Sequence, residues 1–317
     1  MGLTIGVDVG GSKIAAGVVD DAGRLVATAR RETPATDAAA VVRTISDAVA
    51  ELRRQHDVQA VGIGAAGFID KARASVLFAP NLAWRDTPLR AEVERRVRLP
   101  TVVENDANAA AWGEFRFGAG AAVDDMLLVT VGTGVGGGLV IDGSLYRGGF
   151  GVAAEIGHLR MVPGGHLCGC GNRGCLEQYA SGRALVREAR EVALANSPQA
   201  AGILELAGGD ADAITGPMVT KAAAAGDGLA VELLGDVGRW LGEGIASLAA
   251  VLDPAMVVLG GGVSEAGALL LDPTLAAFRR SLTGRRYRPE LTLALATLGN
   301  TAGLIGAADL ARDSHHD

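Results

Sequence analysis

Lysine, cysteine and long runs of one charge are scarce in this 317-residue chain, and each shortage excludes something. The three cysteines, Cys168, Cys170 and Cys175, crowd into one short segment. An odd number so closely spaced cannot form the disulfide framework of a secreted scaffold. Lysine occurs only at Lys13, Lys71 and Lys221, against 29 Lys plus Arg in all, so a lysine beside paired glycines at position 13 marks a place to follow. Charges of the two signs are interspersed with a formal balance of −7, which offers nucleic acid no basic stripe. The N-terminal MGLTIGVDVGG lacks a basic leader and meets Asp8 before any apolar segment, so a secretory signal is not expected and a cytoplasmic protein is. The uncharged stretch Met126–Ile141 is broken by glycines and is shorter than the ~20 apolar residues of a spanning helix, so no membrane contact is expected either.

Hydrophobic residues at 49% and charged residues at 21% describe a chain that folds around its own core. The length fits roughly two domains of about 150 residues each. Glycine is the excess: 46 residues, about 15% and roughly twice ordinary usage, gathered in clusters without a collagen-like period. Clustered glycine indicates backbone that approaches a ligand closely.

Along the chain, strands are predicted over 3–9, 14–20 and 24–31, a helix over 37–55, and a strand buried on both faces over 60–66. A helix over 88–97, a strand over 100–104 and an Ala-rich helix over 106–117 follow. A second glycine hairpin pairs a strand over 126–131 with one over 138–142 across Gly132-Thr133-Gly134, and so repeats the layout of the first thirty residues as a weak internal duplication. Residues 143–175 form a segment long enough to need tying down, with the cysteines at its end. Helices near 181–195, 218–225, 227–252 and 266–281, strands at 255–259 and 290–296, and a final helix from 301 complete a mixed α/β pattern.

Several constellations carry chemistry. Asp8-Val9-Gly10-Gly11-Ser12-Lys13 sets an acid at a strand end before two glycines, a hydroxyl and a cation. Such residues suit a phosphate: glycines turn N–H groups toward oxyanions, Ser12 donates to them, Lys13 adds charge, and Asp8 can hold Mg²⁺ through water. Taken alone, a plain hairpin turn explains the motif equally well. Gly132-Thr133-Gly134 with Gly136-Gly137-Gly138 repeats the chemistry. It also matches the dinucleotide fingerprint, but its glycines lead into a strand rather than a helix, which rejects that reading. No lysine follows a glycine, so there is no Walker A loop. Gly260-Gly261-Gly262 after a buried strand could pass a nucleoside closely or simply open a helix.

His158 with Cys168, Cys170 and Cys175 makes the Cys₃His set of a closed, structural zinc site, although spacing alone leaves His166 as a rival fourth ligand. Glu104-Asn105-Asp106 ends a strand and opens a helix. Asn105 or Asp106 could serve only as a helix cap there; the functional reading makes Asp106 a general base and Asn105 a substrate-orienting residue. Asn81, Glu155 and Glu177 are polar neighbours of similar potential, and Glu177 follows the cysteines directly.

Together these segments resemble the ROK sugar kinases over nearly the whole chain, especially the actinobacterial ATP-dependent glucokinases. The resemblance rests on the motifs above, on Ala79-Pro80-Asn81, Glu155-Ile156-Gly157-His158 and above all Cys168-Gly169-Cys170-Gly171-Asn172-Arg173-Gly174-Cys175-Leu176-Glu177. It implies an α/β, actin-like (ribonuclease-H-like) ATPase fold, with residues 1–107 plus 301–317 as a small domain, 108–300 as a large one bearing the zinc-bound loop, and the active site between them. It further implies Asp106 as the base that deprotonates the sugar 6-hydroxyl, and Gly67, Asn81, Asn105, Asp106, Glu155, His158 and Glu177 as sugar-binding residues. Asp8, Gly10, Gly11, Ser12, Lys13, Gly132, Thr133, Gly134, Gly260, Gly261 and Gly262 fall to the nucleotide and its phosphates. Glucose, ATP, Mg²⁺ and a structural Zn²⁺ are the implied ligands, and a homodimer or homotetramer the implied assembly. Another hexose, an N-acetylhexosamine or polyphosphate as donor are the alternatives within the family. A sugar-sensing repressor would carry a DNA-binding module before the first phosphate strand, which this chain is not expected to have. Ser12 stands where the family usually has Thr, keeping the hydroxyl and losing a methyl group.

Overall fold

The structure, a computed structural model, describes residues 2–313. The chain opens with β1 (Leu3–Val9), β2 (Lys13–Val19), β3 (Leu25–Glu32), helix α1 (Ala38–Arg53) and β4 (Val58–Ala65). Short strands β5 (Phe68–Ile69), β6 (Val76–Phe78) and β7 (Arg85–Thr87) precede α2 (Leu89–Val97), β8 (Thr101–Asn105) and α3 (Asp106–Phe117). Next come β9 (Met126–Val131), β10 (Val135–Ile141) and β11 (Ser144–Tyr146). Helices α4 (Glu177–Ala180), α5 (Gly182–Leu194), α6 (Ala201–Leu206), α7 (Gly216–Ala224) and α8 (Gly228–Leu252) lead to β12 (Met256–Gly260), α9 (Ala268–Ser281), β13 (Thr292–Leu295) and α10 (Ala302–Asp313).

The first sheet has the order β3-β2-β1-β4-β8, antiparallel across β1, β2 and β3 and parallel from β1 through β4 to β8. The second has the order β11-β10-β9-β12-β13, position for position the same. This doubled arrangement is what the weak sequence duplication and the actin-like expectation call for. The small antiparallel sheet β5-β6-β7 was not expected; its strands of two or three residues are too short for a period to register.

By compactness the chain divides into two units: Met1–Leu128 with Gly138–Ala154 and Thr297–Asp317, and Val129–Gly137 with Glu155–Ala296. The sequence reading draws its boundary at 107/108, whereas compactness keeps α3 whole with the first unit, where it packs on α10. Met1 and residues 314–317 of the expected first domain lie outside the described residues.

In the first unit, apolar β1, β2 and β4 side chains such as Ile5, Val7, Ile14 and Ile63 share a core with Val41, Ile45 and Val49 of α1 and Leu89 and Val93 of α2. That periodic face explains why 38–53 is a helix, started by Asp37, whose Oδ1 accepts from Ala40 N–H at 3.0 Å. The opposite side of the sheet is covered at backbone distance. A Cβ on Gly6 or Gly62 would overlap the carbonyl oxygens of Leu304 and Ala307 in α10, and one on Gly306 would overlap that of Ala109 in α3. Buried Asp309 ties the two helices, accepting from Trp112 Nε1 at 2.9 Å and Arg116 Nε at 3.1 Å. Buried Glu114 fixes the far end of α3, accepting from Ala119 and Leu298 N–H at 2.9 and 2.7 Å. These contacts make α3 a rigid base for whatever its N-terminus carries. In the second unit α8 packs along α9. No helix among the described residues is long and apolar enough to cross a membrane.

Candidate functional site

In the first unit, β1 delivers Asp8 to the mouth of the β1–β2 turn. Gly10 N–H donates to Lys13 O at 3.0 Å, and Thr33 secures the turn from outside, Oγ1 to Gly10 O at 2.8 Å and N–H to Ser12 O at 3.1 Å. A Cβ on Gly10 would meet only Lys13 O, at 3.4 Å, so the fold itself makes little demand for glycine there. Glycine there leaves backbone that a ligand could approach closely. A Cβ on Gly11 would stand 3.2 Å from that of Asn81, which puts an expected sugar residue against the phosphate turn. Ser12 and Lys13 are exposed.

The β8–α3 junction settles the cap question. Asn105 takes the cap role: its backbone is extended, and its Oδ1 accepts from Asn108 N–H at 3.0 Å. Its Nδ2 donates to Gly67 O at 3.1 Å, so Gly67 orients Asn105 through its carbonyl. Asp106, relieved of capping, is the first helical residue, with Oδ1 accepting from Ala107 N–H at 3.0 Å. Asp8 is its neighbour: a Cβ on Gly303 in α10 would lie 3.7 Å from Asp106 O and 3.9 Å from Asp8 Cγ. Burial raises the Asp106 carboxyl above its ordinary value, partly offset by the Ala107 N–H. Asp8 is pushed up to about 6, chiefly by burial and then by the charge of Asp106, with Lys13 opposing. The negative charge that Asp106 adds beside Asp8 suits a divalent cation at Asp8.

In the second unit, the turn between β9 and β10 is held from α5. Gly182 N–H donates to Gly132 O at 2.7 Å and Arg183 Nε to Thr133 O at 3.1 Å. A Cβ on Gly132 would meet nothing within 4 Å, while one on Gly134 would press on Glu177 Oε2 at 2.6 Å. The glycine run continues into strand β10, as required to exclude a dinucleotide fold. Gly261 has another explanation: its φ is +84° and its Cβ would lie 2.6 Å from Val131 O, so turn geometry and close packing on β9 require glycine. At Gly262 a Cβ would have open space.

The segment beyond β11 brings His158, Cys168, Cys170 and Cys175 together, with one ligand atom from each and all four within 4.8 Å of one another. Cys170 and Cys175 Sγ are 3.7 Å apart, and Cys168 Sγ is 3.6 Å from His158 Nδ1. Tetrahedral ligands at a Zn–S distance of ~2.3 Å stand about 3.8 Å apart, so the donor set fits a structural zinc ion. Burial pushes the Cys168 thiol up to about 12, and a bound cation would supply the charge that holds it as thiolate. His166, the rival ligand, packs its ring on Tyr179 with centroids 5.3 Å apart. With Nδ1 on the sulfur side, His158 presents Nε2 toward Glu155 Oε2, 3.9 Å away. Glu177 Oε1 lies 3.0 Å from Cys168 Sγ. A metal here would fix His158, and with it the setting of two acidic side chains.

The expected sugar, nucleotide and metal residues thus fall in two groups: Asp8, Gly10–Lys13, Gly67, Asn81, Asn105 and Asp106 in the first unit, and Gly132–Gly134, Glu155, His158, the cysteines, Glu177 and Gly260–Gly262 in the second. Sequence reasoning gave no role to Glu104, Arg73, Arg147 or Arg183, and no spacing signal joins those arginines to the motifs.

The chain matches the ROK family over residues 4–314. It belongs to that family. This ROK chain is 52% identical over 313 residues to a glucokinase of Streptomyces coelicolor, covering 99% of this chain and 98% of that one. Among solved structures it is similar to a ROK family glucokinase from Streptomyces griseus in complex with glucose and AMPPNP, at 56% identity and TM-score 0.92, covering 98% of this chain and 100% of that one. It is also similar to the ROK hexokinase of Thermus thermophilus, at 36% identity and TM-score 0.82, covering 99% of each chain.

Proposed function

We propose that this ROK chain transfers the γ-phosphoryl group of ATP to the 6-hydroxyl of glucose, giving ADP and glucose 6-phosphate. The observation that carries this reading is the near-complete match, above half identity, to glucokinases, one of them bound to glucose and an ATP analogue. Asp106 removes the proton as the hydroxyl oxygen bonds to phosphorus and the bond to ADP breaks; the raised basicity of its buried carboxyl suits that task. Gly67, Asn81, Asn105, Glu155, His158 and Glu177 hold the sugar hydroxyls. Gly10, Gly11, Ser12 and Lys13 with Gly132, Thr133 and Gly134 cradle the phosphates, and Gly260–Gly262 pass the nucleoside. Asp8 is the residue that would hold Mg²⁺, which when bound neutralises charge on the phosphate oxygens. The zinc serves the sugar residues and stays out of phosphoryl transfer. The donor, ATP, is a cytoplasmic metabolite, which supports a cytoplasmic enzyme. A homodimer or homotetramer is the assembly expected, and light scattering at monomer mass would contradict it. The test of function is ADP formation from Mg-ATP across a panel of hexoses and N-acetylhexosamines, with polyphosphate as an alternative donor. Turnover chiefly on glucose with ATP is expected; preference for another sugar or donor would overturn the substrate assignment.

A further inference from the structure

Glu104 is the buried partner of the β8–α3 junction, with its side chain 1% exposed. Its Oε1 accepts from Asn105 N–H at 2.9 Å and from Asn108 Nδ2 at 3.1 Å. Its Oε2 accepts from Arg73 Nε at 3.0 Å and lies 2.7 Å from Arg147 Nε. Arg147 spends its other nitrogens on backbone, donating to Lys71 O at 2.8 Å and Asp70 O at 2.9 Å. Arg73 sits in the β5–β6 turn at a left-handed φ of +54°, rare for a residue with a side chain, and its carbonyl accepts from Val103 N–H at 3.1 Å.

A buried ion cluster of this kind is weak evidence for stability, because desolvating three charges offsets most of their attraction. The cluster does something more specific. Both acceptor bonds of Oε1 go to residues beside Asp106: the backbone of Asn105 before it and the side chain of Asn108, the residue that Asn105 caps. Arg147 also starts a tight loop closed by Ala153 N–H to Arg147 O, which ends at Ala154, φ +66°, one residue before Glu155. Strained non-glycine backbone of this sort persists only where its surroundings over-determine it.

We propose that Glu104, Arg73 and Arg147 form a positioning clamp that holds Asn105 and Asp106 in the geometry proton abstraction requires, and that Arg147 ties the loop before Glu155 to the same clamp; this rests on the kinase reading above. All three act through Asn105 and Asp106 and are positioning residues. Misplacement of a reacting group by ~1 Å costs about 100-fold in rate, which bounds the effect.

The test uses the full-length zinc-loaded enzyme with two readouts, steady-state kinetics and hydrogen exchange of the peptide spanning 104–108. Arg73→Gly deletes the guanidinium, and relief of the left-handed φ offsets part of the cost of leaving Glu104 with one fewer cation. The clamp predicts a fall in kcat of about 10- to 100-fold with KM for ATP within about twofold, and faster exchange confined to 104–108. Arg147→Met should behave alike in kcat and exchange, and Arg147→Lys should recover part of the loss. Unchanged kcat and unchanged exchange at 104–108 in both Arg73→Gly and Arg147→Met would overturn the clamp. Local exchange that rises in the variants while the wild type shows no glucose-dependent turnover would instead remove the kinase reading and leave the clamp standing.

Discussion

The two units hold their functional side chains by different means. Asn105 and Asp106 stand where β8 runs into α3, so strand pairing, a side-chain cap and a glycine-packed helix define their positions. Glu155 and His158 lie at one 3₁₀ turn over Ile156–His158, Glu177 opens the single-turn helix α4, and between them the backbone is joined by the isolated bridges Arg160↔Cys175 and Leu167↔Arg173 and by scattered turn bonds. There the convergence comes from side chains, three sulfurs and an imidazole, and a closed metal site takes the part that hydrogen-bonded ladders play in the first unit. The comparison teaches that a loop can present acidic groups as firmly as a strand end, provided a cation organises it.

That contrast can be broken at either side. Asp106→Ala leaves the Asn105 cap in place, so a folded protein with kcat lower by about 100- to 10,000-fold is expected in a coupled ADP assay. Cys170→Ser should lose the metal by elemental analysis and raise the sugar KM roughly 10-fold, with a smaller change in KM for ATP. The glycines separate packing from ligand approach. Gly306→Ala must displace the Ala109 carbonyl and should cost about 1–3 kcal/mol in denaturant unfolding, whereas Gly132→Ala meets no protein atom and should raise KM for ATP with stability unchanged within about 0.5 kcal/mol. The pH profile sharpens the first unit. A base must be ionised to work, and burial raises the Asp106 carboxyl above its ordinary value, so kcat should fall on acidification at a higher pH than an ordinary aspartate would give. Ser12→Thr, which restores the usual family residue on an exposed turn, should change kcat/KM by less than about twofold.

Much of this was legible in the residues. The apolar period predicted α1 and β4 to within about two residues, and the Asp106–Phe117 helix is found as expected. The zinc ligands were legible down to a choice between His158 and His166, which spacing cannot make and the packing of His166 on Tyr179 does. The cap ambiguity at Asn105 and Asp106 likewise needed coordinates, since either side chain can cap a helix. Gly261 carried a ligand reading that packing on Val131 accounts for without one. The Glu104 cluster was out of reach, because residues 73, 104 and 147 are brought together only by tertiary structure and arginine is otherwise common in this chain.

The central claim is that the chain moves phosphate from ATP to one particular oxygen. Incubating the enzyme with Mg-ATP and glucose and identifying the product by ³¹P and ¹H NMR tests it most directly. The account predicts glucose 6-phosphate and ADP in equal amounts, with neither formed by Asp106→Ala on the same timescale; ADP without sugar phosphate, or phosphate on a different hydroxyl, would contradict it.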